Sequence, residues 1–184
     1  MVISEVPKEV VAIIGGTGKE GKGLAYRWAK AGYSVIIGSR SEEKAQMAVN
    51  ELKGLFSSGN DTSNISIIGK ANKEAVSLCS IAVLTVPYEF HIAILEELKP
   101  ALQGKYLVDV TVPLVPPKVS TVQIPPYGSA AMQAQMILGE GVKVISAFQN
   151  ISFELLLSEK KIECDVLVCG TDLERGLFEI ANRA

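Results

Sequence analysis

The residues with the most chemistry to offer lie close to the amino terminus, in Val11-Ala12-Ile13-Ile14-Gly15-Gly16-Thr17-Gly18-Lys19-Glu20-Gly21. Gly16, Gly18 and Gly21 spell G-x-G-x-x-G, directly after an apolar run and at the opening of an amphipathic stretch. A tight turn at this place needs residues without a Cβ, so that backbone N–H groups can come close to a pyrophosphate. The helix that follows directs positive potential at the phosphates. A lone glycine triplet says little. Strand before and helix after make this one a dinucleotide turn.

The second apolar run discriminates between dinucleotides. An NAD site places Asp or Glu about 20 residues beyond the turn, where it accepts from the ribose 2′-OH. Here the run ends Ile36-Ile37-Gly38-Ser39-Arg40, and Lys44 falls on the first turn of the next helix. A hydroxyl and two cations suit a 2′-phosphate better than a hydroxyl pair. Glu42 and Glu43 lie inside the helix start, not at the strand tip. The reading is NADP.

Other chemistry is sparse. Tyr26 and Lys30 have the Tyr-x-x-x-Lys spacing that serves proton transfer in short-chain dehydrogenases. Both sit on the helix after the glycine turn, out of reach of a nicotinamide across the crevice, so the spacing is read as coincidence. His91 follows Val86-Pro87-Tyr88-Glu89-Phe90 at the end of the fourth apolar run, where it either touches a ligand or is a helix-surface or half-buried histidine. One histidine and three scattered cysteines, Cys79, Cys164 and Cys169, do not make a metal cage. The cysteines read as reduced core thiols of a cytoplasmic protein. No paired carboxylates, nucleophile elbow or Walker loop stands out. An alcohol dehydrogenase must move a proton along with its hydride. Hydride transfer between two organic cofactors needs mainly ring stacking and exclusion of water.

The elements that must position these residues alternate along the chain. Apolar runs at Val10–Ile14, Ser34–Ile37, Ile65–Ile68, Ile81–Val86, Tyr106–Val110, Val142–Ile145 and Val166–Val168 suit strands buried on both faces. Helix patterns fall between them: Lys19–Ala31, a helix capped by Ser41, Glu74–Ser80, Phe90–Leu98 ended by Pro100, Ser129–Leu138 and Asp172–Ala181. Alternation of this kind predicts an α/β, doubly wound parallel sheet, a Rossmann-type NADP-binding fold. Asn60–Asn64 reads as a polar turn. Val112–Tyr127, with five prolines, reads as a long ordered loop at the ligand-binding edge.

Composition narrows the class. With 184 residues, 48% hydrophobic and 21% charged, the chain suits one NADP-binding domain spanning 1–184, with a strand–helix extension at 150–184. A net charge of −2 argues against a dedicated partner among nucleic acids or anionic membranes. No apolar run approaches the roughly 18 residues of a membrane helix, and Glu5 and Pro7 interrupt any leader. The expected partner is a small-molecule substrate.

Several motifs in order resemble the coenzyme F420 (deazaflavin)-dependent NADP reductases. They are Gly15-Gly16-Thr17-Gly18 with Gly21-x-Gly23-Leu24-Ala25, Ile37-Gly38-Ser39-Arg40 with Lys44, Val83-Leu84-Thr85-Val86-Pro87, Pro113-Leu114-Val115-Pro116, Gly128-Ser129-Ala130-Ala131, Ala147-Phe148-Gln149-Asn150 and Asp165–Gly170. The resemblance implies NADP as cofactor, F420 as second substrate and a homodimer. It puts Thr17, Gly18, Lys19 and Glu20 along the pyrophosphate, and Ser39, Arg40 and Lys44 at the 2′-phosphate. Val86, Val115 and Ile151 would border the nicotinamide, with Pro87 shaping the crevice and Gln149 beside the stacked rings. Gln149 stands where the family usually has histidine, and Met132 where it commonly has an acidic residue. The residues themselves leave open a reductase of another acceptor, such as a flavin, a quinone or a metal chelate, and a non-catalytic NADP-binding module.

Overall fold

The computed structural model describes residues 9–56, 65–114, 121–158 and 160–170. Val115, the Asn60–Asn64 turn and the expected helix Asp172–Ala181 lie outside the described residues.

The described residues build a seven-stranded sheet in the order β3-β2-β1-β4-β5-β6-β7. The strands are β1 (Val10–Ile14), β2 (Ser34–Ser39), β3 (Ser66–Ala71), β4 (Ile81–Leu84), β5 (Tyr106–Asp109), β6 (Lys143–Ser146) and β7 (Cys169–Gly170). Register runs Ile13↔Ile37 between β1 and β2, and Ile13↔Val83 between β1 and β4, all parallel. The order therefore departs in both directions from β1, and a crevice must open at the carboxyl ends of β1 and β4.

Helices α1 (Lys19–Lys30), α2 (Glu42–Phe56), α3 (Asn72–Leu78), α4 (His91–Leu102), α5 (Ala130–Leu138) and α6 (Phe153–Leu156) surround the sheet. Strand side chains alternate between two cores. Val11 and Ile13 join Leu24, Trp28 and Val49 on one face, while Ala12 and Ile14 join Val76, Leu95 and Leu138 on the other. Burial on both faces explains the unbroken apolar runs of β1 and β4. The outer strand β3 alternates instead, leaving Ile68 exposed.

Three expectations are corrected. Pro100 does not end α4, which continues to Leu102. Proline costs this last turn a donor, but Leu98 and Leu102 are each 1% exposed, so burial carries the helix past it. Val166–Val168 is not a strand. The last strand among the described residues is the two residues of β7, antiparallel to β6, while Val166 and Val168 pack their side chains on the core. Of the three cysteines only Cys79 is buried. Among the described residues no helix is long and apolar enough to cross a membrane.

Candidate functional site: a crevice over the glycine turn

The turn between β1 and α1 is shaped by close backbone contacts. Gly15 has φ +75°, and a Cβ there would stand 2.6 Å from Val86 Cγ1. Gly21 lies so close under the turn that its Cβ would meet Gly16 Cα at 2.6 Å. Gly16 faces inward: its N–H donates to the carbonyls of Ile13 (3.2 Å) and Gly38 (3.0 Å). It braces the turn and does not line the cavity above it. Gly18 is different. It caps α1 with no side-chain hydrogen bond, and beyond its chain neighbours the nearest described atom to a Cβ built on it is the Gly15 carbonyl oxygen at 3.6 Å. Its missing side chain leaves room for something outside the protein, facing the open amino end of a helix.

Above the turn lies a cavity of about 680 Å³, running from the end of β2 across β1 and β4 to the end of β5. Of the residues singled out from sequence, Thr17, Gly18, Lys19, Glu20, Ser39, Arg40, Val86 and Pro87 line it. Ser39 is buried and Arg40 exposed at the strand tip. The nearby carboxylates are directed elsewhere. Glu42 pairs with Lys70 at 3.1 Å, and Glu43 is held below the usual carboxylate range by its backbone N–H and the Ser41 hydroxyl. Lys44 is exposed on the first turn of α2, outside the lining. Lys19 carries its ammonium 4.8 Å over the Phe153 ring.

Asn72, Thr85, Tyr88, Thr111 and Val112 also line the cavity, and sequence reasoning missed them as site residues. Three buried side-chain polar atoms lack a hydrogen-bond partner among the described residues: Glu20 Oε1, Asn72 Oδ1 and Thr111 Oγ1. All three residues line this one cavity. Buried polar atoms are rarely left unpaired, so their common location marks a ligand's place. Glu20 lies in the first turn of α1, and burial raises its carboxyl to about 7.

A second cavity, about 200 Å³, adjoins the first through Thr111 and Val112. Pro125, Ser129, Ala131 and Gln149 are among its walls. Ser129 caps α5 by accepting from the Met132 N–H at 3.1 Å. Gln149 Nε2 donates to the Asp109 carbonyl at 2.7 Å and to Ser146 Oγ at 2.9 Å. Phe148, just before it, holds a left-handed φ of 73°. Such backbone strain persists only where surroundings enforce it, and the buried Phe148 ring packs edge-on to Trp28 at 5.7 Å. Ile151 packs on the core and lines neither cavity.

Residues 10–113 match the family described as NADP oxidoreductase, coenzyme F420-dependent. The chain belongs to this family. It is 38% identical over 179 residues to the F420-dependent NADP reductase of Methanocaldococcus jannaschii, covering 94% of this chain and 78% of that one. The F420-dependent NADP reductase of Methanothermobacter marburgensis is 36% identical, covering 87% and 72%. The rat metalloreductase STEAP3 is 30% identical over 94% of this chain, which spans 31% of that longer protein. Among solved structures, a candidate F420-dependent NADP reductase from Arthrobacter matches with TM-score 0.71 and 22% identity, covering 95% and 78%. That likeness supports the Rossmann-type fold.

Within this family member, the residues left aside by sequence reasoning have clear places. Tyr26 is buried and stacked on Phe56 at 4.9 Å, and neither it nor Lys30 lines the cavity, as the coincidence reading expects. His91 is neither a ligand contact nor half-buried: it is fully enclosed, with Nε2 2.9 Å from Asp109 Oδ2 and Nδ1 3.1 Å from Gln133 Nε2. Asp109 and Gln133 gave no local signal, because their pairing exists only once β5, α4 and α5 are packed together.

Proposed function

We propose that this chain transfers a hydride between NADP(H) and coenzyme F420. The observation that carries the reading is the gathering of every partnerless buried polar atom among the described residues into one cavity over the glycine turn. That pattern fits a polar ligand spanning the cavity; Glu20 and Asn72 offer acceptor oxygens, so it is the uncapped amino end of α1 beside them that suits a diphosphate. When bound, the nicotinamide and deazaflavin rings supply the redox chemistry, a hydride leaving a carbon of one for a carbon of the other.

The protein's part is to hold, orient and keep dry. The open amino end of α1 and the Gly15–Gly18 turn receive the diphosphate. Ser39 and Arg40 take the 2′-phosphate, Arg40 through a fork suited to phosphate oxygens, and Lys44 adds charge from the exposed first turn of α2. Asn72 Oδ1 lies at this same end, as an acceptor for the adenosine half. Val86 and Pro87 bound the nicotinamide half, whose apolar walls exclude water. The smaller cavity beside it receives the deazaflavin, next to Gln149. Val115 is assigned to the ring-bordering set by family resemblance alone, whereas Ile151, packed on the core outside both cavities, supports that set from behind. The full chain of 184 residues is read as one such domain acting in the cytoplasm. It works as a homodimer, for which Met132 and Met136, exposed on α5, offer an apolar contact face.

Mixing the protein with NADPH and F420 and following deazaflavin absorbance tests the reading. Protein-dependent loss of absorbance, reversed by NADP+ with reduced F420, is expected. No protein-dependent change in either direction would remove it. NADPH oxidation by a flavin or a ferric chelate, with none by F420, would transfer the assignment to that acceptor class.

A further inference from the structure

At the β5 end of the large cavity, polar groups are few and almost all engaged. Thr85 Oγ1 donates to the Ile14 carbonyl at 3.0 Å, and the Tyr88 hydroxyl to Gln133 Oε1 at 3.3 Å. Thr111 Oγ1 is the exception. Thr111 is only 6% exposed, its hydroxyl has no partner among the described residues, and it lines both cavities. The walls around it, Val86, Pro87, Val110, Val112 and Leu114, are apolar.

The backbone of Thr111 is fixed from behind. Its N–H donates to Asp109 Oδ1 at 2.9 Å, and the other carboxylate oxygen meets His91 Nε2 at 2.9 Å. Asp109 and His91 are both fully buried, and Gln133 holds the far side of the imidazole. The Asp109 carbonyl accepts from Gln149, which reaches the second cavity. A β-branched side chain on so constrained a backbone has few χ1 choices, so the hydroxyl direction is set before any ligand arrives.

We infer that Thr111 Oγ is the hydrogen-bonding partner of the nicotinamide carboxamide, and that the buried Asp109–His91–Gln133 chain positions it. The inference rests on the NADP reading above. An apolar slot with one unpaired hydroxyl matches a flat ring bearing one amide. Because Thr111 stands in the wall shared by the two cavities, this bond sets the rotation of the ring, and hence which edge it presents to the second substrate.

The test compares two ligands by equilibrium titration: NADP+ and 2′-phospho-ADP-ribose, which has every part of NADP+ except the nicotinamide. For Thr111→Val, the NADP+ dissociation constant should rise about five- to tenfold, the worth of one hydrogen bond, while that of the fragment stays within about twofold. Thr111→Ser should restore NADP+ binding to within about threefold of the parent. An unchanged NADP+ constant in Thr111→Val would overturn the inference. So would equal weakening of both ligands, or a parent protein that binds the two alike. Because the readout is binding, loss of F420 turnover alone would remove the hydride-transfer reading and leave this one standing.

Discussion

The β2 end of the crevice is made mostly by one continuous stretch, β1 through the glycine turn and α1 to the tip of β2, with Asn72 added from α3. The β5 end is assembled from residues far apart in the chain. At the first end the decisive contacts are between near neighbours: Gly16 N–H to Ile13 O, Gly21 against Gly16, Thr17 and Gly18 opening α1. At the second, His91, Asp109 and Gln133 meet from three elements, and Gln149 adds a fourth point of contact. The first end carries the charge and offers anion contacts to solvent; the second buries its polar groups in a low-dielectric interior where each depends on the others. On the proposed function, the first end binds through charge, while the second both holds and orients the ring.

Substitutions can break that division in order of size. Asp109→Ala should have the largest effect, because it leaves a buried imidazole and the Thr111 N–H without their partner. A loss of about 3 kcal/mol or more in urea unfolding is expected. A loss below about 1 kcal/mol would show that the β5 end does not depend on the pair.

Arg27 makes a comparable long-range tie on the opposite face. Its guanidinium donates to the carbonyls of Leu155, Leu156, Ser158 and Lys160 at 2.7–2.9 Å. Arg27→Met should cost about 2 kcal/mol. Amide exchange should accelerate at 155–158 while the β1 and β2 amides keep their protection. Uniform acceleration would mean that this segment and the central sheet open together.

Arg40→Glu sharpens the other side of the comparison. NADPH affinity should fall at least about tenfold, from loss of a charge-assisted contact and addition of a like charge, with the melting temperature little changed. Equal weakening of NADH would contradict the 2′-phosphate assignment.

The smallest effect concerns Glu20, whose carboxyl burial raises from 4.5 to about 7. With a raised folded-state value, its contribution to stability is fully present below about 4.5 and is lost as pH rises through about 7. A diphosphate beside it favours the protonated form further, so NADPH binding takes up protons and weakens as pH climbs through neutrality. Glu20→Gln should flatten that slope, removing a change of about threefold between roughly pH 6 and 8. Parallel slopes in the two proteins would show that Glu20 does not face the diphosphate.

Taken alone, the sequence determined the alternation of strands and helices, the glycine turn and the Ser39-Arg40 tip, because each is written in neighbouring residues: apolar runs, a missing Cβ, a change from carboxylate to cation. Family membership was legible for the same reason, in short motifs kept in order. Only the tertiary structure decided that Gly16 braces the turn while Gly18 opens outward, that Pro100 stays inside α4, and that Cys164 and Cys169 lie at the surface. It alone brought His91 to Asp109 and left Asn72 and Thr111 with unpaired atoms in the crevice. Partnership of a buried polar group depends on what long-range packing sets opposite it, and no local pattern of residue types encodes that.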